Sequence, residues 1–269
     1  MLDPFILKAI LGVIFASFSS VVSTLMLLRG ALYITPEVSH AALGGAAIGV
    51  LIQMFLPGFV DPFLFVILFC IATSVFVSRM GKGGPQALGV MLSVSLAVSV
   101  MLYAVIRSYL PIDKRVIVDG YLVSDLLLIS NSDLLSLAIA STLAIVVTTL
   151  FYRELLYICF DLETAEALGL KVGLYDSLLF AISAVTVAVV AKTVGVLLSV
   201  TLLIIPAATS RFLTHSIGRM FVTSFLIALI SGLGGVALSF YFNVPTSGAI
   251  ALVSIVLFAS AYLIKARRM

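Results

Sequence analysis

The sequence contains few charged side chains for its length. Only 10% of its 269 residues are charged and 62% are hydrophobic, whereas a soluble domain carries about a quarter charged residues. The apolar runs continue for about 20 residues, as in membrane-spanning helices, instead of alternating over about 10 residues as barrel strands do. The composition therefore excludes a soluble domain and predicts an all-α integral membrane protein.

Cysteine is also scarce, and Cys70 and Cys159 do not follow a metal-binding spacing. We expect two unpaired, buried thiols. Residues Met1–Leu28 lack the basic start and the cleavage site of a signal peptide, and they are long enough to span a membrane. The net charge of +3 is small, so the basic residues are interpreted as topology signals and no nucleic-acid partner is expected.

Motifs for ATP binding and hydrolytic chemistry are absent from the sequence. No GxxxxGK(S/T) loop occurs, and Gly81–Gly84 is a basic turn without that spacing. If the protein uses ATP, a partner chain must therefore bind it. GxSxG motifs, HExxH motifs and paired intramembrane aspartates are also absent, so we expect no enzymatic activity. The predicted spans contain almost no ionisable side chains, which argues against a proton-coupled carrier.

Nine membrane-spanning helices are predicted, with eight or ten as alternatives, in a single domain over residues 1–269. Breaks such as Pro57-Gly58 and Asn243–Pro245 separate them, and no tandem repeat or low-complexity linker divides the chain. The predicted spans are Phe5–Leu28, Ser39–Phe55, Pro62–Val77, Ala87–Val105, Leu134–Tyr152, Leu174–Ala191, Val194–Leu213, Met220–Phe242 and Thr246–Ile264.

The segment from about residue 153 to 173 is the most polar long window of the chain. Its carboxylates would each cost several kcal/mol in lipid, so the segment must lie in water or against another protein. We predict a short amphipathic docking helix that can end at Gly169 or Gly173. Its acidic residues are Asp161, Glu163 and Glu166, and its apolar face consists of Leu162, Ala165 and Leu168.

The distribution of Lys and Arg predicts the orientation of the chain. If the docking helix is cytoplasmic, nine spans place the N-terminus outside and the C-terminus in the cytoplasm, and more Lys and Arg residues lie inside than outside. The pair Lys114-Arg115 is an exception. On the outer side, residues 117–132 are too short and too acidic to span, and an interfacial or partly re-entrant helix is predicted there.

Small residues recur in two of the predicted spans. They form the runs Ala41–Gly49 and Gly232–Gly235. Such runs allow helix backbones to approach closely, and we interpret them as packing positions rather than as parts of a gate.

The most suggestive polar cluster is Thr35–His40, at the start of a Gly/Ala-rich span. Pro36 can occupy a first helical turn, which places Glu37 and His40 on one helix face at i and i+3. A carboxylate and an imidazole in this geometry can share a passing divalent metal ion. The alternative is a structural role, with Glu37 at a helix N-terminus and His40 bonded to a neighbouring helix. The residue types alone favour this alternative.

Two further polar residues have open interpretations. His215 is interpreted as a cytoplasmic loop residue. Lys192 lies between two predicted spans, where it is either part of an entry or exit gate or a simple hairpin-turn residue.

Several segments, taken in order, resemble the permease subunit of zinc-, manganese- and iron-type ABC importers. The resemblance runs from about residue 5 to residue 265. Its most recognisable part is the segment Leu202–Arg211, preceded by Val194–Leu198. The other similar segments are Ser39–Ala41, Tyr121–Leu127, Asp161–Leu170 and Tyr241–Gly248.

The resemblance implies a role in metal passage for His40. The family commonly has an aspartate four residues before this histidine, but Pro36 stands there and the carboxylate is that of Glu37. Some relatives also carry a histidine in the fourth span, where this chain has Ser93. The expected residues of the pathway or its gates are Ser39, Ser93, Asp125, Lys192 and Pro206. The residues expected to couple to the ATPase are Asp161, Glu163, Ala165, Glu166, Leu168 and Gly169.

The resemblance also implies the assembly and its substrate. The expected complex contains two copies of this permease in the cell membrane, two cytoplasmic ATPase subunits that bind ATP and Mg, and an external metal-binding protein. The chain itself is expected to hold no cofactor, and a divalent ion of zinc, manganese or iron is the expected substrate. The alternatives are a permease for a metal chelate or another small solute, a stand-alone secondary carrier, and a membrane scaffold without transport activity.

Overall fold

The computed structural model describes residues 4–55, 61–80, 84–109, 111–122 and 126–267. These residues form thirteen α-helices and a short 3-10 turn at Leu126–Leu128, without a β-strand among them. The all-α prediction is confirmed. The helices are α1 (Pro4–Phe18), α2 (Ser20–Leu28), α3 (Ile34–Phe55), α4 (Pro62–Met80), α5 (Gly84–Tyr109), α6 (Ile112–Leu122), α7 (Asn131–Leu150), α8 (Tyr152–Phe160), α9 (Leu162–Ala167), α10 (Val172–Val194), α11 (Val196–Leu213), α12 (Ile217–Phe242) and α13 (Thr246–Ala266).

Eight segments of the described chain are long and apolar enough to cross a membrane, within the predicted range of eight to ten. The pair α1–α2 counts as one such segment, Phe5–Leu28, and the others are α3, α4, α7 and α10–α13. The ninth predicted span lies within α5, where a shorter apolar stretch covers Ser93–Ile106.

Three predicted boundaries differ from the structure. The first span is interrupted at Ser19, between α1 and α2. The span predicted to start at Ser39 belongs to a helix that begins at Ile34. The prediction missed its first turn because that turn is helical but polar. The break expected at Lys192 lies at Gly195 instead, whose φ of +85° is a value that residues with a Cβ atom rarely adopt.

The predicted outer helix over residues 117–132 is not one continuous element. Helix α6 ends at Leu122, residues 123–125 lie outside the described part of the chain, and the 3-10 turn follows. Ser130 then caps α7 by accepting a hydrogen bond from the backbone N–H of Asp133 at 3.1 Å. The spanning helix α7 therefore already begins within the region predicted as interfacial.

Helices α3 and α10 form the interior of the bundle. In their most apolar windows 61% and 72% of the residues are buried, whereas only 22% are buried in α4 and in α13. Hydroxyl groups in this interior donate to carbonyls one turn earlier, as Ser183 does to Leu179 at 2.7 Å. Such bonds satisfy buried hydroxyls without a partner helix. Both cysteines are buried and unpaired, as predicted.

The small-residue runs pack against neighbouring helices, as predicted. A Cβ atom added to Gly49 would lie 2.8 Å from the Cα atom of Pro62 in α4. A Cβ atom added to Gly235 would lie 2.4 Å from the Cα atom of Ile250 in α13. Cβ atoms do not approach backbone atoms this closely, so these helix pairs require glycine at the contact.

The Gly235→Ala variant is expected to be less stable than the wild type by roughly 1–3 kcal/mol, the usual cost of overpacking. The added methyl group must displace α13, because its closest contacts include backbone atoms of Ile250. Thermal unfolding of the purified permease in detergent measures the difference. Gly248→Ala is the matched control, since open space surrounds Gly248. Equal melting temperatures for the two variants would contradict the assigned packing.

Candidate functional site

A hydrogen-bonded turn leads into the helix that carries the predicted polar cluster. At the end of α2 the backbone N–H of Gly30 donates to Leu27 at 3.1 Å, and that of Ala31 donates to Met26 at 2.8 Å. These two bonds form a Schellman turn, for which Gly30 supplies a φ of +74°. The turn sets the direction in which the chain enters α3 at Ile34.

Glu37 and His40 lie in the first two turns of α3. Pro36 and Glu37 belong to the first turn, as the sequence predicts. Glu37 is only 2% exposed, and His40 is half-buried. Among the described residues, none forms a hydrogen bond or an ion pair with the Glu37 carboxylate or the His40 imidazole. A buried carboxylate without a partner is costly, and the pair has free positions for a cation.

Ser39 connects α3 with α11. Its hydroxyl donates to the Thr35 carbonyl at 2.8 Å and lies 3.1 Å from the Ser199 hydroxyl. Both serines are fully buried. The contact restrains the rotation of α3 about its axis, and it therefore orients Glu37 and His40 on the adjacent turns.

The described part of the chain supplies no third His, Cys, Asp or Glu ligand to Glu37 and His40. The described residues contain no group of three or more His, Cys, Asp or Glu side chains that could hold a metal ion. Structural zinc sites use four protein ligands and catalytic zinc sites use three. Two ligands are therefore too few for a resident metal, but they suit an ion that must be released again.

Three other predicted site residues lie elsewhere in the chain. Ser93 is an exposed residue of α5, and Asp125 lies outside the described residues. Pro206 is buried within the continuous helix α11, where it removes the usual donor to the Leu202 carbonyl. His215 is exposed between α11 and α12, so its predicted loop position is confirmed.

Lys192 lies in the last turn of α10, so its interpretation as a hairpin-turn residue is wrong. Its ammonium group lies 3.2 Å from the Asp133 carboxylate of α7 and 4.1 Å from the centre of the Phe63 ring of α4. These residues line a cavity of about 340 Å³ together with Asp61 and Tyr121. The Lys192 side chain therefore connects the end of α10 with the starts of α7 and α4.

Sequence reasoning identified Lys192 but missed its partner Asp133. The order of the helices along the chain could have indicated this pairing. Helices α7 and α10 are connected through the docking segment, so the start of α7 and the end of α10 lie on the same side of the membrane. Asp133 stands in the first turn of α7 and Lys192 in the last turn of α10, where two opposite charges can meet.

The predicted docking helix consists of two short helices, α8 and α9, joined at Asp161. The Asp161 carboxylate caps α9 by accepting hydrogen bonds from the hydroxyl and the backbone N–H of Thr164. These bonds lower the pKa of Asp161. Gly169 ends this segment with a φ of +79°, and the backbone N–H groups of Gly169 and Leu170 complete a second Schellman turn.

The two-faced pattern predicted for the docking helix is only partly present. Ala165 is fully buried, whereas Leu162 and Leu168 are 37% and 60% exposed. Asp161 precedes α9 instead of lying on its surface. With six residues, α9 is too short to present two continuous faces. Its exposed leucines remain accessible to a partner.

An open groove of about 550 Å³ lies beside α8 and α9. Tyr157 and Phe160 in its wall are 47% and 60% exposed, and Arg153 and Asp161 add a charge of each sign. Exposed aromatic residues beside charged groups are typical of a protein-binding surface.

A larger cavity of about 720 Å³ is lined by Glu163 and Glu166 of α9. Arg29 and Asp176 line it as well, and Arg29 Nε lies 2.9 Å from Asp176 Oδ1. The hydroxyl of Ser78, a further lining residue, donates to the second oxygen of this aspartate at 2.6 Å. Asp161, which caps α9, lines the groove beside α8 and α9 instead. The predicted coupling residues therefore contribute to two different surfaces, this cavity and that groove.

Known proteins are similar to this chain, some along most of its length and others over less than half of it. Residues 2–265 match the family described as the ABC 3 transport family. The chain is 29% identical over 250 residues to the manganese transport system membrane protein MntC of Listeria monocytogenes serovar 1/2a, covering 91% of this chain and 85% of that protein. It is 39% identical over 112 residues to the high-affinity zinc uptake system membrane protein ZnuB of Buchnera aphidicola subsp. Schizaphis graminum, covering 41% and 43%.

A solved structure has the same fold. The chain superimposes on PsaBC from Streptococcus pneumoniae, determined in complex with Fab, with a TM-score of 0.81 and 22% identity. The match covers 97% of this chain and 92% of that chain.

Proposed function

Because the chain belongs to the ABC 3 transport family, we propose that it is the membrane-spanning permease of an ATP-binding-cassette importer for a divalent transition metal ion. The observation that carries the proposal is the pair Glu37 and His40, one turn apart on α3. Glu37 is buried without a partner among the described residues, and an arriving cation would neutralise its charge. The chain supplies the path, and a partner subunit supplies ATP hydrolysis.

Manganese and zinc are the proposed substrates, with iron as the third candidate. The names of the relatives MntC and ZnuB support the first two ions. Carboxylate and imidazole ligands accept all three metals, so the ligand types do not select one of them. In this chain Glu37 takes the position of the carboxylate ligand, one residue after the place where the family commonly has aspartate.

The small number of ligands fits a transfer mechanism. A permease that bound its ion tightly would retain it, whereas transit requires weak binding. We propose that an external binding protein delivers the ion and that Glu37 and His40 hold it only during passage. The isolated permease is therefore a poor metal binder.

The ion pair between Lys192 and Asp133 is the proposed outer gate. It connects the outer ends of α10 and α7, and the Phe63 ring of α4 packs beneath the ammonium group. While the pair is intact, these three helix ends stay together. Opening towards the external binding protein must separate them, and Lys192 then loses its counter-ion.

The groove beside α8 and α9 is the proposed docking site for the ATPase. Its aromatic residues are exposed, and Leu162 and Leu168 of the adjoining segment are exposed as well, so this rigid, capped part of the chain offers accessible apolar side chains to a partner. The proposed assembly has two copies of the permease and two ATPase subunits in the cell membrane, with the C-terminus in the cytoplasm. Closure of the ATPase pair then moves the α8–α9 segment, and the two permeases alternate between outward- and inward-facing states.

The Gly169→Ala variant tests the rigidity of this segment. Alanine at a φ of +79° costs roughly 1–2 kcal/mol, so we expect amide hydrogen exchange within α9 to accelerate about 5- to 30-fold. Gly173→Ala is the control, because Gly173 lies within α10 and an added Cβ meets open space. Similar exchange in α9 of both variants would show that Gly169 does not hold the segment.

The proposed function is tested with the complete complex in liposomes. The permease, its ATPase and the external binding protein are combined, and the binding protein is loaded with zinc, manganese or iron in turn. We expect one of these metals to stimulate both ATP hydrolysis and uptake, while the metal-free binding protein does not.

Each contrary outcome indicates one of the alternatives. An intact complex that no metal stimulates points to a metal chelate or another small solute. Metal uptake by the permease alone, without an ATPase that binds it, indicates a secondary carrier. A complex that assembles but moves no solute indicates a scaffold.

A further inference from the structure

We propose that Asp176 is a positioning residue that transmits movement of the α8–α9 segment to the start of α3. The inference rests on the proposed function and adds to it a residue outside both the metal pair and the ATPase-binding groove. Asp176, Arg29 and Ser78 together are called the Asp176 cluster.

Asp176 connects three helices through its two carboxylate oxygens. Its Oδ1 atom pairs at 2.9 Å with Nε of Arg29, the C-cap residue of α2. Its Oδ2 atom accepts a hydrogen bond from Ser78 of α4 at 2.6 Å. Asp176 lies near the start of α10 and is only 8% exposed. A buried carboxylate requires such partners, so the three helices are linked through one charged group.

The cluster is close to the segment that the ATPase is proposed to move. Helix α10 begins three residues after the Gly169 turn, and the backbone N–H of Val172 donates to Leu170 at 2.9 Å across this junction. Two residues of α9, Glu163 and Glu166, line the same cavity as the cluster. A displacement of α9 is therefore passed to the start of α10 through a short and ordered connection.

Arg29 connects the cluster to the metal pair. Only Gly30–Tyr33 separate it from α3, and this loop contains the Schellman turn described above. The backbone N–H of Ile34 donates back into the loop at 3.1 Å, and that of Thr35 at 3.2 Å. A short loop with these bonds is stiff, so a shift of Arg29 moves the first turn of α3 and with it Glu37. Coupling of this kind requires a contiguous set of contacts, and the Asp176 cluster provides one.

The Asp176→Asn variant removes the charge that holds Arg29 and retains the size of the side chain. In the complete complex in liposomes, with the metal that stimulates the wild type, we expect the metal taken up per ATP hydrolysed to fall about 5- to 150-fold, the usual range of a coupling energy. ATP hydrolysis itself should continue. The exchanged pair Arg29→Asp with Asp176→Arg should recover part of the uptake, because it restores an ion pair in the same place.

Asp119→Asn is the matched control. Asp119 lies on α6 and accepts a hydrogen bond from the Tyr103 hydroxyl at 2.7 Å, so the same substitution there also removes a hydrogen-bonded carboxylate. Its ratio of uptake to hydrolysis should equal that of the wild type. If Asp176→Asn loses hydrolysis and uptake together, and the exchanged pair recovers neither, Asp176 has only a structural role and the proposal is wrong.

A second measurement does not depend on the substrate. Spin labels are attached through Tyr33→Cys and Leu174→Cys, at positions that are 40% and 56% exposed. The native cysteines are buried, and burial raises the pKa of the Cys159 thiol to about 12, which keeps it unreactive towards the label. The distance between the labels is then measured in the permease–ATPase complex with and without ATP.

We expect this distance to be unchanged by ATP when Asp176 is present, because the loop before α3 and the start of α10 move together. In the Asp176→Asn background the distance should change or broaden on ATP binding. The same response in both backgrounds would overturn the proposal. If the wild-type complex hydrolyses ATP but transports no metal, the proposed function fails, and the label distances still decide whether Asp176 links the two segments.

Discussion

Replacing His40 by alanine is expected to lower metal-stimulated ATP hydrolysis and uptake at least tenfold while the complex still assembles. His40 and Glu37 are the two candidate ligands on α3, and the described residues offer no three-ligand cluster as a substitute. Loss of contacts even around a metal site lowers affinity or activity about 10- to 100-fold, so removal of one of two ligands should lower stimulation at least tenfold. His40 is half-buried, and its truncation should not unfold the bundle.

Two further variants make this result specific. His215→Ala removes the other of the two histidines in the sequence, and because His215 is exposed in a loop, its stimulation should match that of the wild type. Glu37→Gln keeps the size of the side chain and removes its charge, and it should lower stimulation as His40→Ala does. If metal stimulates ATP hydrolysis and uptake normally in His40→Ala, His40 has a role in helix packing and is not a metal ligand. The proposed transport function would then stand without His40.

The Leu168→Asp variant should lose the ATPase while the permease itself remains folded. Leu168 is 60% exposed, so its side chain contributes little to the stability of the bundle. A carboxylate there would be buried against the partner on docking, and disruption of a central contact typically costs at least about 2 kcal/mol, or roughly 30-fold in affinity. Binding of the purified ATPase to the permease in nanodiscs measures the loss, and thermal unfolding confirms the fold.

Leu128→Asp provides the matched control for this prediction. Leu128 is 74% exposed in the 3-10 turn after α6, on the side of the membrane away from the proposed ATPase. The same charge introduced there should leave ATPase affinity unchanged. An equal loss in both variants would indicate a general effect of the added charge, and unchanged affinity in Leu168→Asp would place the docking surface elsewhere.

Local patterns in the sequence predicted the parts of the site that depend on neighbouring residues. The first-turn position of Pro36 and Glu37, the i and i+3 spacing to His40 and the turn at Gly169 all follow from backbone preferences over a few residues. The faces of α9 did not follow from the same reasoning. Leu162 and Leu168 are apolar but exposed, because burial of so short a helix is decided by the helices beneath it.

Contacts between distant residues were not predictable from one sequence. Lys192 was recognised as a candidate gate, but its pairing with Asp133 depends on how α7 and α10 pack. Asp176 lies three residues beyond the predicted docking segment and received no role, because Arg29 lies 147 positions away in the chain and Ser78 lies 98 positions away. The spacing of residues within one helix gives no information about contacts between helices that are so far apart in the chain.

The sequence by itself determined that this protein is a helical membrane protein, approximately where it crosses the membrane, and which family it resembles. These properties depend on composition, on the length of apolar runs and on short motifs, all of which are local. Only the tertiary structure decided which polar side chains are paired and which are left without a partner. Glu37 and Asp176 are both buried carboxylates, but Asp176 is held by Arg29 and Ser78 while Glu37 is not. That difference depends on which helices lie side by side, because a charge in the bundle interior is stabilised only by groups that other segments bring to it.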